Sequence, residues 1–392
     1  MRIAYLCADP GIPLYGRKGC STHVRETARI LMSLGHSVRI WCTNVGGDET
    51  DGPPLDVVHV RPVQSKKLGF DLRHILTDQR LWRRIRADFA QWRPDVIYER
   101  YSLYARTGTR ATAEFGLPRL LEVNAFLTKE QHQRIRLAWL ARRVEGDIIR
   151  RAPRVIVVSE PLRREVHELG QSMAAIAKMP MAVNLDKFHP DGPGREELRR
   201  RHGLHDRFVI GYVGTLAGWH GIRLLYDVAR RLRKRATTGY AFLIVGGDGL
   251  KLEMHRRKAR EAGLEDVLRF VGSVPHDDVP AHIRAMDAAI VPDTTYWSSP
   301  AKLFEYQACG VPVLAPAYPA ILESLEDGRE GLIYPAGNVK QIAKAVLRLM
   351  ADPALAGTMG DAARRRAELE HSWLHNGEQI LTLYHELGAR VT

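Results

Sequence analysis

The sequence predicts an α/β protein of two doubly wound, parallel-sheet halves. Strand-like apolar runs alternate with amphipathic helical stretches along nearly the whole chain, the pattern of parallel sheets covered by helices on both faces. The alternation falls into two series, with the breaker cluster Pro190-Asp191-Gly192-Pro193-Gly194 between them. A chain of 392 residues is also longer than one ordinary core supports.

In the first series the expected strands are Ile3–Ala8, Val38–Thr43, Val57–Val60, Val96–Glu99, Leu120–Asn124 and Val155–Ser159. A first helix is expected from Ser21 to Leu34, with Val24, Ala28 and Leu31 on one face and Gly35 as its stop. In the second series the strands are Phe208–Gly214, Ala241–Gly246, Leu268–Val271, Ala288–Pro292, Val313–Ala315 and Leu332–Tyr334. Helices lie between them, for example Ile222–Leu232. A last helix follows, with Trp373, Ile380, Leu383, Tyr384 and Leu387 at helical spacing; its pattern leaves open which half it packs on. The expected division is residues 1–184, joined by a terminal helix over 372–392, and residues 185–371. In doubly wound sheets ligands bind beyond the carboxyl ends of the strands, so a cleft between the halves is the expected site.

The composition, 45% hydrophobic and 26% charged, is that of a globular protein, and no apolar run is long enough to span a bilayer. The stretch Met1–Cys7 reads as a first strand, too soon interrupted by Asp9 and Pro10 to be a signal peptide. Cys7, Cys20, Cys42 and Cys309 form no disulfide-like or CxxC spacing, so a reducing, cytoplasmic setting is expected. The net charge of +13 calls for an anionic partner. Arginines concentrate in residues 73–93 and 134–154, both with apolar residues at helical spacing. These stretches read either as solvated faces of packed helices or as docking surfaces for an anionic membrane or acceptor. With no basic–aromatic interleaving, nucleic acid is not expected.

Three glycine-rich turns precede helices or follow strands, where backbone N–H groups can approach a phosphate. They are Gly16-Arg17-Lys18-Gly19, Gly214-Thr215-Leu216-Ala217-Gly218-Trp219-His220-Gly221, and Gly246-Gly247-Asp248-Gly249. The densest signal is Ser298–Gly310 followed by Val311-Pro312-Val313. It reads as a loop, a short helix and a buried strand, with Ser299 as N-cap and Pro300 at the first helical position. The N–H groups of that first turn, through Ala301 and Leu303, and the helix dipole would seat an anion, with Lys302 adding a full charge. Glu305, one turn on, would accept two hydroxyl hydrogen bonds. An anion and a diol one turn apart match a nucleotide diphosphate and its ribose. No Asp-x-Asp, HExxH or GxSxG occurs, so no metal site and no serine nucleophile are expected.

These residues resemble a family-4 glycosyltransferase of the GT-B architecture, and the likeness runs over nearly the whole chain. Ser298–Val313 is similar to that family's donor signature. Met179–Pro190 resembles its inter-domain segment, with Met181-Ala182 where Asn-Gly is usual, and Tyr98–Ser102, Leu121–Ala125 and Ser372-Trp373 also fit. The resemblance implies two Rossmann-like domains, acceptor-side first and donor-side second, facing a central cleft, with the last helix crossing back onto the first. It further implies a bacterial, metal-independent, retaining hexosyl- or N-acetylhexosaminyltransferase. The donor would be a nucleotide sugar, UDP-linked on family frequency, and the acceptor a hydroxyl on a glycan, a lipid-linked species or a small natural product. No cofactor is expected, and the setting is cytoplasmic, including the inner face of the membrane.

Carried over residue by residue, the resemblance assigns Lys302 to phosphate and Glu305 to ribose. Gly16, Gly19, Gly214, Thr215, Gly246, Gly247, Ser299, Pro300, Ala301 and Leu303 would border the donor, and His276 its base. Asn124 and Glu122, ending a first-half strand, fall where the family places a sugar contact, commonly a histidine that this chain lacks. Where the family often has a further acid the chain has Trp297, and Thr215 and His220 stand where an Arg and a Lys grip the diphosphate. Lys302, His220 and Asn124 are therefore the expected catalytic residues. Two other classes remain open: a nucleotide-sugar 2-epimerase, and a non-catalytic nucleotide-sugar or polyanion binder.

Overall fold

The computed structural model describes residues 1–16, 18–47, 52–65, 67–235 and 238–389. Arg17, part of the first glycine turn, and the last three positions of the expected terminal helix lie outside them. The chain forms two compact units, Met1–Pro180 with Trp373–Thr392 and Met181–Ser372.

Unit 1 holds a seven-stranded parallel sheet. Its strands are β1 (Arg2–Cys7), β2 (Ser37–Cys42), β3 (Asp56–His59), β4 (Val96–Arg100), β5 (Arg119–Val123), β6 (Arg154–Val157) and β7 (Ile176–Lys178). Their order is β3-β2-β1-β4-β5-β6-β7. Unit 2 holds β8 (Phe208–Val213), β9 (Tyr240–Val245), β10 (Leu268–Gly272), β11 (Ala288–Ile290), β12 (Val313–Pro316) and β13 (Gly331–Tyr334), ordered β10-β9-β8-β11-β12-β13. Both orders reverse direction beside the first strand of the unit, which is the doubly wound arrangement expected from sequence. The central strands are covered on both faces and read as continuous apolar runs: every residue of β9, Tyr240–Val245, is buried.

β7 was not among the expected strands. Only Ile176 of its three residues is buried, so an edge strand this short leaves no periodic signal. The chain leaves unit 1 after Pro180, so residues 181–184, expected in the first half, belong to unit 2. There the Val183 N–H bonds the His371 carbonyl at 2.8 Å, and Val183 bridges Ser372.

The helix Trp373–Glu386 belongs to unit 1, where Ile380 and Tyr384 join Val24, Ala28 and Leu31 of the Gly19–Ser33 helix in one core. Their spacing, i and i+4 on one helix and i, i+4 and i+7 on the other, makes the two apolar stripes that meet. Among the described residues no helix is long and apolar enough to cross a membrane.

Candidate functional sites in the two units

In unit 2 the carboxyl ends of β8 and β9 turn sharply through Gly214 and Gly246. Both take positive φ, +144° and +119°, a region that favours glycine. The two turns touch: a Cβ on Gly246 would overlap the Gly214 carbonyl oxygen, so the loops close only without side chains there. The Gly214 N–H bonds Val245 O at 2.9 Å, and the Gly246 N–H bonds Gly272 O at 2.7 Å.

The helix Ala301–Ala308 points its start at this junction. A Cβ on Gly214 would stand 2.7 Å from Lys302 Nζ. The ammonium lies 4.2 Å over the Tyr212 ring and donates to the Tyr212 hydroxyl at 3.1 Å, while that hydroxyl donates to Thr215 O at 2.8 Å. The Tyr306 hydroxyl accepts the Val213 N–H at 2.7 Å, tying the helix to β8. Leu303, Phe304 and Tyr306 are fully buried below, which holds the half-buried Lys302 and Glu305 on the upper face.

Two details differ from the sequence expectation. The helix begins at Ala301, with Pro300 in the cap position and no side-chain cap. The Ser299 hydroxyl instead accepts the Met181 N–H at 3.2 Å, a long-range use that a local capping rule does not see. The Leu303 N–H is also taken, by Pro300 O at 2.9 Å, and its side chain is core. The amides that have no carbonyl to bond within the helix are those of Ala301 and Lys302.

Burial lowers the Lys302 ammonium to about 7 against the opposing pull of Glu305, and raises the Glu305 carboxyl to about 7 against Lys302 and Lys187. His220 stacks on Trp219 with ring centroids 3.5 Å apart, and burial, with the Lys302 charge beside it, lowers its imidazole to about 3. At neutral pH it is a neutral donor and not the cation that a phosphate grip would use.

The remaining expected positions lie on the rim of unit 2. Thr215 is exposed, with its carbonyl held by Tyr212. Gly247 takes φ +81° and its carbonyl accepts the Ser273 N–H. His276 meets Lys187 Nζ at 2.7 Å through Nδ1 and lies edge-on to Phe188. Trp297 stands edge-on to Tyr296 with centroids 4.6 Å apart, so this position carries aromatic surface in place of a carboxylate.

In unit 1 the start of the Gly19–Ser33 helix and the ends of β4 and β5 surround one buried carboxylate. Glu122 is 1% exposed and collects four side chains. His23 Nε2 lies 2.5 Å from Oε1 and Arg100 lies 3.3 Å from it. Asn124 Nδ2 donates to Oε1 at 2.7 Å, and the Tyr98 hydroxyl donates to Oε2 at 3.1 Å. Burial alone would raise this carboxyl; the His23 and Arg100 charges and the hydrogen bonds of His23 and Asn124 overcome it and bring it down to about 2. Because the Asn124 amide nitrogen must face the carboxylate, its Oδ1 faces away, buried and without a protein partner.

The first glycine turn sits on the same strand ends. The Arg25 guanidinium donates to the carbonyls of Leu14 (2.6 Å) and Gly16 (3.0 Å), fixing the turn, and Gly19 opens the Gly19–Ser33 helix with nothing within 4 Å of its Cβ position. Glu99, on β4, pairs with the fully buried Arg119 of the adjacent strand.

Two family models tile this chain. One described as glycosyl transferases group 1 matches residues 194–366, and one described as a glycosyl transferase 4-like domain matches residues 18–181. The chain belongs to the family-4 glycosyltransferases. Among its relatives is a GDP-mannose-dependent alpha-(1-6)-phosphatidylinositol monomannoside mannosyltransferase of Mycolicibacterium smegmatis. It is 32% identical over 216 residues, 54% of this chain and 56% of the relative, so the match spans about half the length of that protein. Sucrose-phosphate synthase of Thermosynechococcus elongatus shares the fold over 99% of both chains, with TM-score 0.81 and 24% identity. HepE of Anabaena, solved in complex with UDP-glucose, shares it over 100% of both, with TM-score 0.76 and 17% identity. The fold is therefore GT-B.

For this family-4 chain the sequence left out Tyr212, which carries the lysine. Its only trace is an aromatic, two residues ahead of the glycine turn, in the otherwise aliphatic and glycine run Val209–Val213. It also left His23 and Glu122 unconnected, because 99 positions separate them and no spacing rule links a helix start to a strand end so far away.

Proposed function

We propose that the chain transfers a hexosyl-type sugar from a nucleoside diphosphate sugar to a hydroxyl acceptor, with retention and without a metal ion. The observation that carries this reading is Lys302 Nζ at the Gly214 turn, held over Tyr212 at the start of the Ala301–Ala308 helix. A leaving diphosphate gathers negative charge as the glycosidic bond breaks. A lysine and helix-end amides fixed at that point stabilise the transition state more than the ground state.

Glu305, one turn further along, accepts the two ribose hydroxyls. In unit 1, Asn124 Oδ1 accepts a sugar hydroxyl, and Glu122 keeps that oxygen oriented. Retention is supported by the family likeness: the acceptor hydroxyl attacks the face that the diphosphate leaves, passing its proton to the departing phosphate oxygen. Independence from metal is supported by the charge that Lys302 and the helix start already supply. Named donors differ among the similar proteins, GDP-mannose for one and UDP-glucose in another, and the diphosphate and ribose that Lys302 and Glu305 would hold are common to both.

The test is a panel of UDP- and GDP-hexoses with glycan, lipid-linked and small-molecule acceptors, reading nucleoside diphosphate release and the product anomer by NMR. The expected result is transfer with retained configuration that survives a chelator. Epimerisation of the donor without an acceptor, or inversion of the anomer, would contradict it.

A further inference from the structure

The arginines of the helix Ala138–Arg150 and of the segment before it are not all alike. Toward the helix's C-terminal end they have partners: Arg151 pairs with Asp147, which also holds Arg106, and Arg150 donates to Leu169 O. At the N-terminal end Arg136, Arg142 and Arg143 are exposed and form no ion pair among the described residues. Arg142 and Arg143 stand three and four positions after Trp139, on the same helix face. Trp139 is 69% exposed, the most exposed tryptophan among the described residues, and Leu137 just before it is 44% exposed.

This face is built rather than frayed. The buried Asp71 carboxylate accepts the N–H groups of Arg136 (2.9 Å) and Leu137 (3.4 Å) and the hydroxyl of Tyr104 (2.5 Å). Tyr104 is held in the left-handed region at φ +67°, a conformation that costs energy unless its surroundings fix it. The same anchor brings up Leu72, 44% exposed, at the start of the Phe70–Trp92 helix, and Arg134 lies over the Phe70 ring at 5.0 Å.

We propose that this face, with Leu137 and Trp139 as inserting side chains and Arg136, Arg142 and Arg143 around them, docks unit 1 on an anionic lipid bilayer. The choice of occupant follows from size and charge. Three separated apolar side chains are far less than the roughly 800 Å² per partner of a stable protein interface. They are, however, what a bilayer interface accepts singly, tryptophan above all. Unpaired arginines gain from a negative leaflet, about fivefold in partitioning for each one brought near the surface. The inference does not rest on sugar transfer, because docking needs neither donor nor acceptor.

The experiment is flotation of the full chain with phosphatidylcholine vesicles and with vesicles that also contain phosphatidylglycerol. The wild type is expected to float with the anionic vesicles, to release as salt is raised, and to bind phosphatidylcholine alone weakly. Trp139→Ala is expected to lose about tenfold in partitioning, and the double variant Arg142→Ser/Arg143→Ser about twentyfold or more with most of the salt sensitivity. All these positions are exposed, so unchanged melting temperatures confirm folding. The control Lys340→Ser/Lys344→Ser, which removes the same charge from the surface of unit 2, is expected to bind as the wild type does. No flotation of the wild type, site variants that bind unchanged, or a control that loses as much as the arginine pair would each overturn the proposal; unchanged site variants would leave a protein partner as the reading of this face.

Discussion

Lys302 Nζ sits 4.2 Å above the Tyr212 ring and 3.1 Å from its hydroxyl, with a helix start on one side and a glycine turn on the other. The ring and hydroxyl stabilise the ammonium without neutralising it, so the charge remains available to an anion.

Removing that charge has a direct consequence. Lys302→Ala is expected to lower kcat by about two to three orders of magnitude, the scale of one missing transition-state donor. The fold should survive, since the side chain is half-buried and lies above the core. Steady-state kinetics alongside a thermal melt separates the two effects.

Tyr212 should behave as a positioning residue. Tyr212→Phe keeps the ring and removes both hydrogen bonds of the hydroxyl; the one to the ammonium, worth about 1 kcal/mol, bears on binding, so nucleotide affinity should fall about fivefold. Tyr212→Leu also removes the ring beneath the ammonium and should cost more. Calorimetric titration with UDP and GDP, in the wild type and both variants, reads the order directly.

Lys302 also gives nucleotide binding a pH dependence. Burial brings the ammonium down to about 7 in the free protein, and a bound diphosphate favours its charged form. Affinity should therefore fall as pH rises above about 7, with proton uptake on binding. Glu305, raised to about 7, ionises over the same range, so the profile is read in Glu305→Gln as well, where only Lys302 titrates. Lys302→Arg, charged throughout, should lose the fall in affinity that deprotonation of the lysine causes.

The opposite sign applies to Glu122. Its carboxyl is depressed from 4.5 to about 2 in the folded protein. It therefore contributes stability that is present above the unfolded value and lost as pH falls from about 4.5 toward 2. Glu122→Gln should destabilise by about 3–5 kcal/mol at neutral pH, because His23 and Arg100 lose a buried partner. It should also flatten the acid limb of stability between those two values. Urea unfolding across that range is the measurement. Asn124→Ala, which keeps the carboxylate, should leave nucleotide affinity intact and lower kcat/KM.

The fold was legible in the sequence because its signals are local. Strands such as β9 are continuous apolar runs, and the Gly19–Ser33 helix carries Val24, Ala28 and Leu31 at the spacing that makes a stripe. The proposed donor seat was partly legible for the same reason: Lys302 and Glu305 lie one turn apart on a single short helix. What escaped is long-range. Ser299 looks like a cap until Met181, 118 positions away, takes its hydroxyl. Tyr212 looks like core until the lysine 90 positions later folds over it. The polar knot at Glu122 joins a helix start and the ends of two strands, an arrangement that only tertiary packing creates.

The most direct test of the account is calorimetric titration of UDP and GDP into the wild type, Lys302→Ala and Glu305→Ala, with folding checked by thermal melt. The wild type is expected to bind at least one of the two, and each substitution to weaken binding tenfold or more, the scale of removing one hydrogen bond to a charged group. A wild type that binds neither, or folded variants that bind as tightly as the wild type, would contradict it.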